Sequence, residues 1–170
     1  MQGRGRGYVV TNMKLTLIAL IGISIFGNLT SVRAENLGAE LRKSGWEGII
    51  GTWVDPETKG AKHRVTYRWQ YKDKVIEITS RDTQKETTAL MGRNPKSGDI
   101  FHVAADNEGG SSIGKWTLEN NEFVLGLLFV AGTGEEGILQ IRHKLINHDT
   151  LVVTVVLPEP ITLKLERLKE

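Results

Sequence analysis

The sequence predicts an all-β protein: an antiparallel up-and-down meander of about ten strands closed into a barrel, with a short N-terminal helix. Three observations carry this reading. Apolar and polar residues alternate with a period of two through most of the chain after residue 48. The alternating runs are separated by short links rich in Asn, Asp, Gly and Pro. Between those links there is no second stretch with a helical apolar period.

The helical stretch is 35–46, where Leu37, Leu41 and Trp46 fall near one face and Gly45 can end the turn. Strand runs come next at 48–54, 63–71, 74–80, 85–92, 99–105, 111–118, 122–131, 137–146, 150–157 and 161–168. The alternation is plain in several of them. Val65, Tyr67, Trp69 and Tyr71 share one phase, opposite Arg64, Thr66, Arg68 and Gln70. Leu139, Ile141, His143 and Leu145 share another, as do Ile161, Leu163, Leu165 and Arg167. Residues 123–130 are apolar on both phases, so one side of that strand is expected to face a helix, a second layer or a partner. Tight turns between neighbours and no crossover helices favour a meander. Full closure is the arrangement that leaves it no free edge; a β-sandwich is the alternative.

Residues 1–34 are set apart from this fold. Arg4, Arg6 and Lys14 form a basic start, 15–26 is an apolar run, and Val32-Arg33-Ala34 ends in a small-x-small pattern. This is the plan of a secretory signal peptide cleaved between Ala34 and Glu35. The apolar run is shorter than the roughly 20 residues a spanning helix needs. Contact with a membrane is therefore expected only through that peptide before cleavage. Met13-Lys14 is itself a sensible start, so 1–12 is read as an over-called beginning. The expected address is a bacterial periplasm, the cell surface or the extracellular medium. The absence of cysteine agrees with a body stabilised by core burial rather than disulfides.

Charge then excludes a partner class. The whole chain has 22 basic and 20 acidic residues, but four of the bases and none of the acids lie in 1–34. Residues 35–170 therefore carry 18 bases against 20 acids, a net of −2. No basic cluster remains to neutralise phosphates, so nucleic acid is not expected as a partner. The oligomeric state is left open.

Two glycine patterns imitate nucleotide sites. Gly109-Gly110-Ser111-Ser112-Ile113-Gly114-Lys115 has the phosphate-loop spacing, but Trp116 stands where a Ser or Thr would hold magnesium. Gly132-Thr133-Gly134-Glu135-Glu136-Gly137 has dinucleotide-fingerprint spacing, with two acids that would repel a pyrophosphate. Each leads into a strand rather than the helix N-terminus such a site needs, so both are read as hairpin turns. The acids Asp106, Glu108, Glu135 and Glu136 lie in turns without calcium-loop spacing. No nucleophile elbow, zinc-protease helix or placeable carboxylate pair is present, so no catalytic residue and no metal ligand is assigned.

Of His63, His102, His143 and His148, only His143 sits in an otherwise apolar phase. An inward imidazole must be hydrogen-bonded or bind something. His102, between Phe101 and Val103, is read as outward, and His148 beside Asp149 as a turn residue. A barrel of this size can hold one small ligand. Val65, Tyr67, Trp69 and His143 are the expected lining, with core packing as the plainer role for the aromatics.

Gly51-Thr52-Trp53 on the first strand, after a helical lead-in, resembles the Gly-x-Trp signature of lipocalin-like (calycin-type) barrels. That resemblance implies an Arg of the last strand packed across the Trp at the closed end, a place Arg167 would fill. Gly51, Trp53 and Arg167 are thus expected to close one end. The ladder Met91-Gly92-Arg93-Asn94-Pro95, Gly98-Asp99-Ile100, Gly109-Gly110 and Gly114-Lys115-Trp116 is similar to exported bacterial proteins of unknown function, common in planctomycete-like genomes. Nitrobindin-like haem barrels are a ten-stranded cousin with extra glycines after the Trp. Here Val54-Asp55 stands in that place, so no cofactor is expected and haem is the lesser alternative. The functional expectation is non-enzymatic binding of a small apolar molecule in the barrel. The alternatives are a packed accessory or interaction domain, and a haem protein or His143-dependent enzyme.

Overall fold

The computed structural model describes residues 35–169. The expected signal peptide, residues 1–34, lies outside the described residues. The body begins with helix α1 (Leu37–Lys43) and a single 3-10 turn (Glu47–Ile49). Ten strands come after it: β1 (Gly51–Val54), β2 (Arg64–Tyr71), β3 (Val75–Arg81), β4 (Glu86–Arg93), β5 (Ile100–Asp106), β6 (Ser111–Glu119), β7 (Glu122–Val130), β8 (Glu136–Asn147), β9 (Thr150–Val156) and β10 (Ile161–Arg167). Each strand pairs antiparallel with its sequence neighbour, and β1 pairs with β10 to close the barrel. The all-β meander expected from the alternation is the architecture of the chain.

The links are made by residues suited to them. Asn120 and Asn121 both take positive φ (49° and 63°) in the two-residue β6–β7 turn. A primed hairpin turn requires that conformation, and Asn tolerates it better than most residues. At β2–β3, Asp73 takes φ 59°. The long β1–β2 loop is organised by Asp55, whose carboxylate accepts from Thr58 N (2.8 Å), Thr58 Oγ1 and His63 N (2.9 Å). The Thr58 hydroxyl, more than any other group, holds the Asp55 carboxyl down at about 2.

Helix α1 is shorter than 35–46 because both ends are capped. Asn36 accepts from Ala39 N (2.9 Å) at the start. At the other end Gly45, at φ 75°, turns the chain; its N–H donates to Arg42 O (3.2 Å) and Trp46 N–H donates to Leu41 O (2.7 Å). This is the Schellman closure, with the apolar pair Leu41 and Trp46 buried beside it. Helix and 3-10 turn together plug one end of the barrel. Leu37, Leu41, Trp46 and Ile49 are buried in one cluster with Ile76, Met91, Trp116, Phe123 and Leu151. Gly38 rests on the β2–β3 turn, donating its N–H to Asp73 O (3.0 Å), where any Cβ would collide with the Asp73 side chain.

The doubly apolar β7 meets different surroundings on its two phases. Phe123 stacks near Trp46 (5.4 Å between centroids) on the inner side. On the outer side Leu128 and Val130 are exposed. The outward phase of β5 is also apolar, and it covers a glycine gap in the neighbouring strand. Phe101 pairs with Gly92 and lies where a Cβ there would sit.

Candidate functional site

The end opposite α1 is not plugged. The barrel interior holds a cavity of about 580 Å³ that reaches from the open-end loops down to Trp116. Its presence arises from the inward residues of β3 to β6. Ser80, Thr87, Ala89 and Ser112 are small and stand on the cavity wall, leaving space that larger side chains would fill. The opposite wall, from β7 to β10, is aliphatic: Leu125, Leu139, Ile141, Val153 and Leu163 contribute to it. The charged lining groups Arg64, Arg81, Asp82 and Lys85, with His63, belong to the open-end segments, at the start of β2 and around the β3–β4 turn.

The cavity floor is aromatic and polar. Trp116 stacks on Phe123 (4.9 Å between centroids) and meets His143 at 4.9 Å and His102 edge-on at 5.9 Å. His102 is only 7% exposed and His143 5%. Burial pushes both imidazoles down to about 4, with backbone carbonyls partly offsetting that for His143. Both are therefore neutral at pH 7.

His143 Nδ1 lies 3.2 Å from the Phe123 carbonyl oxygen. A carbonyl only accepts, so Nδ1 carries the hydrogen and the neutral ring presents Nε2 as an acceptor. His102 is different. Its Nδ1, like Trp116 Nε1, is shielded from solvent and has no hydrogen-bond partner. An unmet buried polar atom costs about 1–3 kcal/mol, so the floor is a polar spot left unsatisfied inside an apolar wall.

The expected lining residues fall into two groups. Val65, Tyr67 and His143 stand on the cavity wall. Trp69 does not; it is half-buried against the core cluster, with Lys72 Nζ 5.7 Å above its ring. Burial without a charge partner pushes the Tyr67 phenol far up, so it stays neutral too.

His102 points inward, which corrects the outward reading of the sequence. Ile100, His102 and Ala104 take the inner phase of β5, while Phe101 and Val103 lie outside. The apolar character of Phe101 and Val103 concealed this, because both serve the outer surface. The register offers the missing clue: His102 pairs with Met91, which is fully buried.

At the plugged end, Trp53 and Arg167 are register partners, and the guanidinium lies 4.2 Å from the centre of the Trp53 ring. Arg167 also donates to three carbonyls: Ile50 (2.8 Å), His148 (2.9 Å) and Gly48. Trp53 Nε1 donates to Ile49 O (2.8 Å). Gly51, at φ 140°, leaves room for the guanidinium, since a Cβ there would strike Arg167 Nη1.

The two nucleotide-like glycine segments are the β5–β6 and β7–β8 hairpins, each leading into a strand. Asp106 in the first accepts from Gly110 N (2.7 Å) and pairs with Lys85 (2.6 Å). Among the described residues no group of three or more His, Asp or Glu side chains is placed to hold a metal ion. No family model and no curated protein matches the chain.

Proposed function

We propose that this barrel is an exported, non-enzymatic binding protein that carries a small, mainly apolar molecule in its interior. One observation carries the reading: a cavity of about 580 Å³ with a largely aliphatic wall, charged residues only toward its mouth, and its other end plugged. Ligand pockets of small-molecule carriers have this size and character.

Fluorescence uptake of N-phenyl-1-naphthylamine, an uncharged apolar dye, tests the reading. The protein should enhance the dye's emission saturably. Leu139→Trp, which fills the cavity from β8, should abolish the enhancement. A folded Leu139→Trp variant that takes up dye as well as the parent would refute interior binding.

A second reading, an interaction domain, is favoured by one separate feature. Leu90, Val103, Ile113, Leu128 and Ile138 are successive cross-strand partners from β4 to β8 and all are exposed, Ile138 by 80%. A contiguous exposed apolar row of this kind marks contact surfaces. This reading predicts association that Ile138→Lys abolishes while dye uptake is unchanged.

A further inference from the structure

The floor specifies more than an apolar occupant. Its three polar side chains, His102, Trp116 and His143, are neutral, and no ionised group reaches them; the charged lining residues sit at the mouth. A carboxylate or ammonium pressed to the floor would lose its hydration without gaining a counter-charge. An alkyl or aryl end would leave the polar atoms unmet. His143, held through Nδ1 by the Phe123 carbonyl, offers an acceptor at Nε2. His102 has an unpartnered Nδ1 on a ring that lines the cavity, and both rings contact Trp116. Nδ1 is shielded from solvent in this rotamer; a half-turn of the imidazole about χ2 exchanges the edge that bears it with the opposite one.

We infer that the occupant is an uncharged hydroxyl-bearing apolar molecule whose hydroxyl sits on the floor, donating to His143 Nε2 and accepting from His102. A hydroxyl is the smallest group that meets one acceptor and one donor at once. The inference rests on the reading of the cavity as a ligand site and assigns the chemistry of its deep end.

The test is displacement of N-phenyl-1-naphthylamine by 1-octanol, octane and octanoate at pH 7, using protein recovered from expression of the full chain. His143→Phe and His102→Phe are measured beside the parent. Each variant should weaken 1-octanol about tenfold, the loss expected for one buried hydrogen bond, and leave octane unchanged. The two variants are independent, so one that fails to fold leaves the other to decide. Equal effects on octanol and octane, or none on either, would overturn the hydroxyl assignment. So would octanoate binding more tightly than octanol and losing its advantage in Arg64→Ala, because that places a charged head at the mouth. Failure of all three octyl compounds to displace a bound dye would instead overturn the underlying view of the cavity as a site for such molecules.

Discussion

Single residues govern both ends of this barrel. Arg167 joins a cation–π contact on Trp53 to three carbonyl bonds, and no other described side chain bridges β10, β1 and the 3-10 turn in this way. Arg167→Ala removes all four interactions and leaves carbonyls unmet, at a cost of about 2–3 kcal/mol. Thermal denaturation should show the midpoint falling by about 5–10 °C. An unchanged midpoint would mean the Trp53–Arg167 stack carries no weight.

The two floor histidines make a pH prediction. Each has a native value of about 4 against an ordinary value of 6.5. A depressed base means the unfolded chain takes up protons first as the pH falls. Their contribution is thus whole above about 6.5, declines between 6.5 and 4, and levels off below. Each histidine accounts for a loss on the order of 3 kcal/mol across that window. Midpoints measured from about pH 7 to about pH 4.5 should fall steeply in the parent and less steeply in His143→Phe. Parallel profiles would show that His143 titrates normally.

At the scale of elements, the plug of α1 and the 3-10 turn decides that the barrel is closed at one end. Leu41 is buried between the strands and also completes the Schellman closure against Trp46. Leu41→Ala should cost about 2–4 kcal/mol, the usual range for a buried leucine in a packed core. Urea denaturation should report that loss with an unchanged slope. A loss within about 0.5 kcal/mol would mean the helix packs only loosely on the barrel. Strand positions are legible in the sequence because period-two alternation and Asn, Asp, Gly and Pro turns are local signals. The ends of α1 are harder to read, because the Gly45 closure depends on Leu41 and Trp46 meeting the core.

The side assignment of β5 is not legible either. A strand carrying Ile100, Phe101, Val103 and Ala104 has apolar residues in both phases, and only its neighbours say which face is inside. The phase of β4, with Ala89 and Met91 buried, settles it through the register. The same limit applies to Trp69. Its phase agrees with Val65 and Tyr67, but its height along β2 takes it below the cavity, beside Ile76 and the plugged end. Phase gives the side of a sheet; height in the barrel comes from where the loops and plug fall.

Across the whole molecule, the ten strands form a sleeve that is filled at the α1 end and hollow toward the other. Alternation and turn chemistry foretell the sleeve. The hollow depends on the conjunction of small inward residues, Ser80, Thr87, Ala89 and Ser112, facing a bulkier aliphatic wall. Each is ordinary on its own strand, so the space becomes visible only once the strands are side by side.

The central claim is that the hollow is occupied in the cell. Native mass spectrometry of the protein purified from its compartment, with an absorbance scan of the same sample, addresses it directly. The expected result is a species heavier than the polypeptide, lost on denaturation, with a protein-only visible spectrum. A bare polypeptide mass, together with no uptake of apolar dye, would contradict it; a Soret band would make the occupant haem instead.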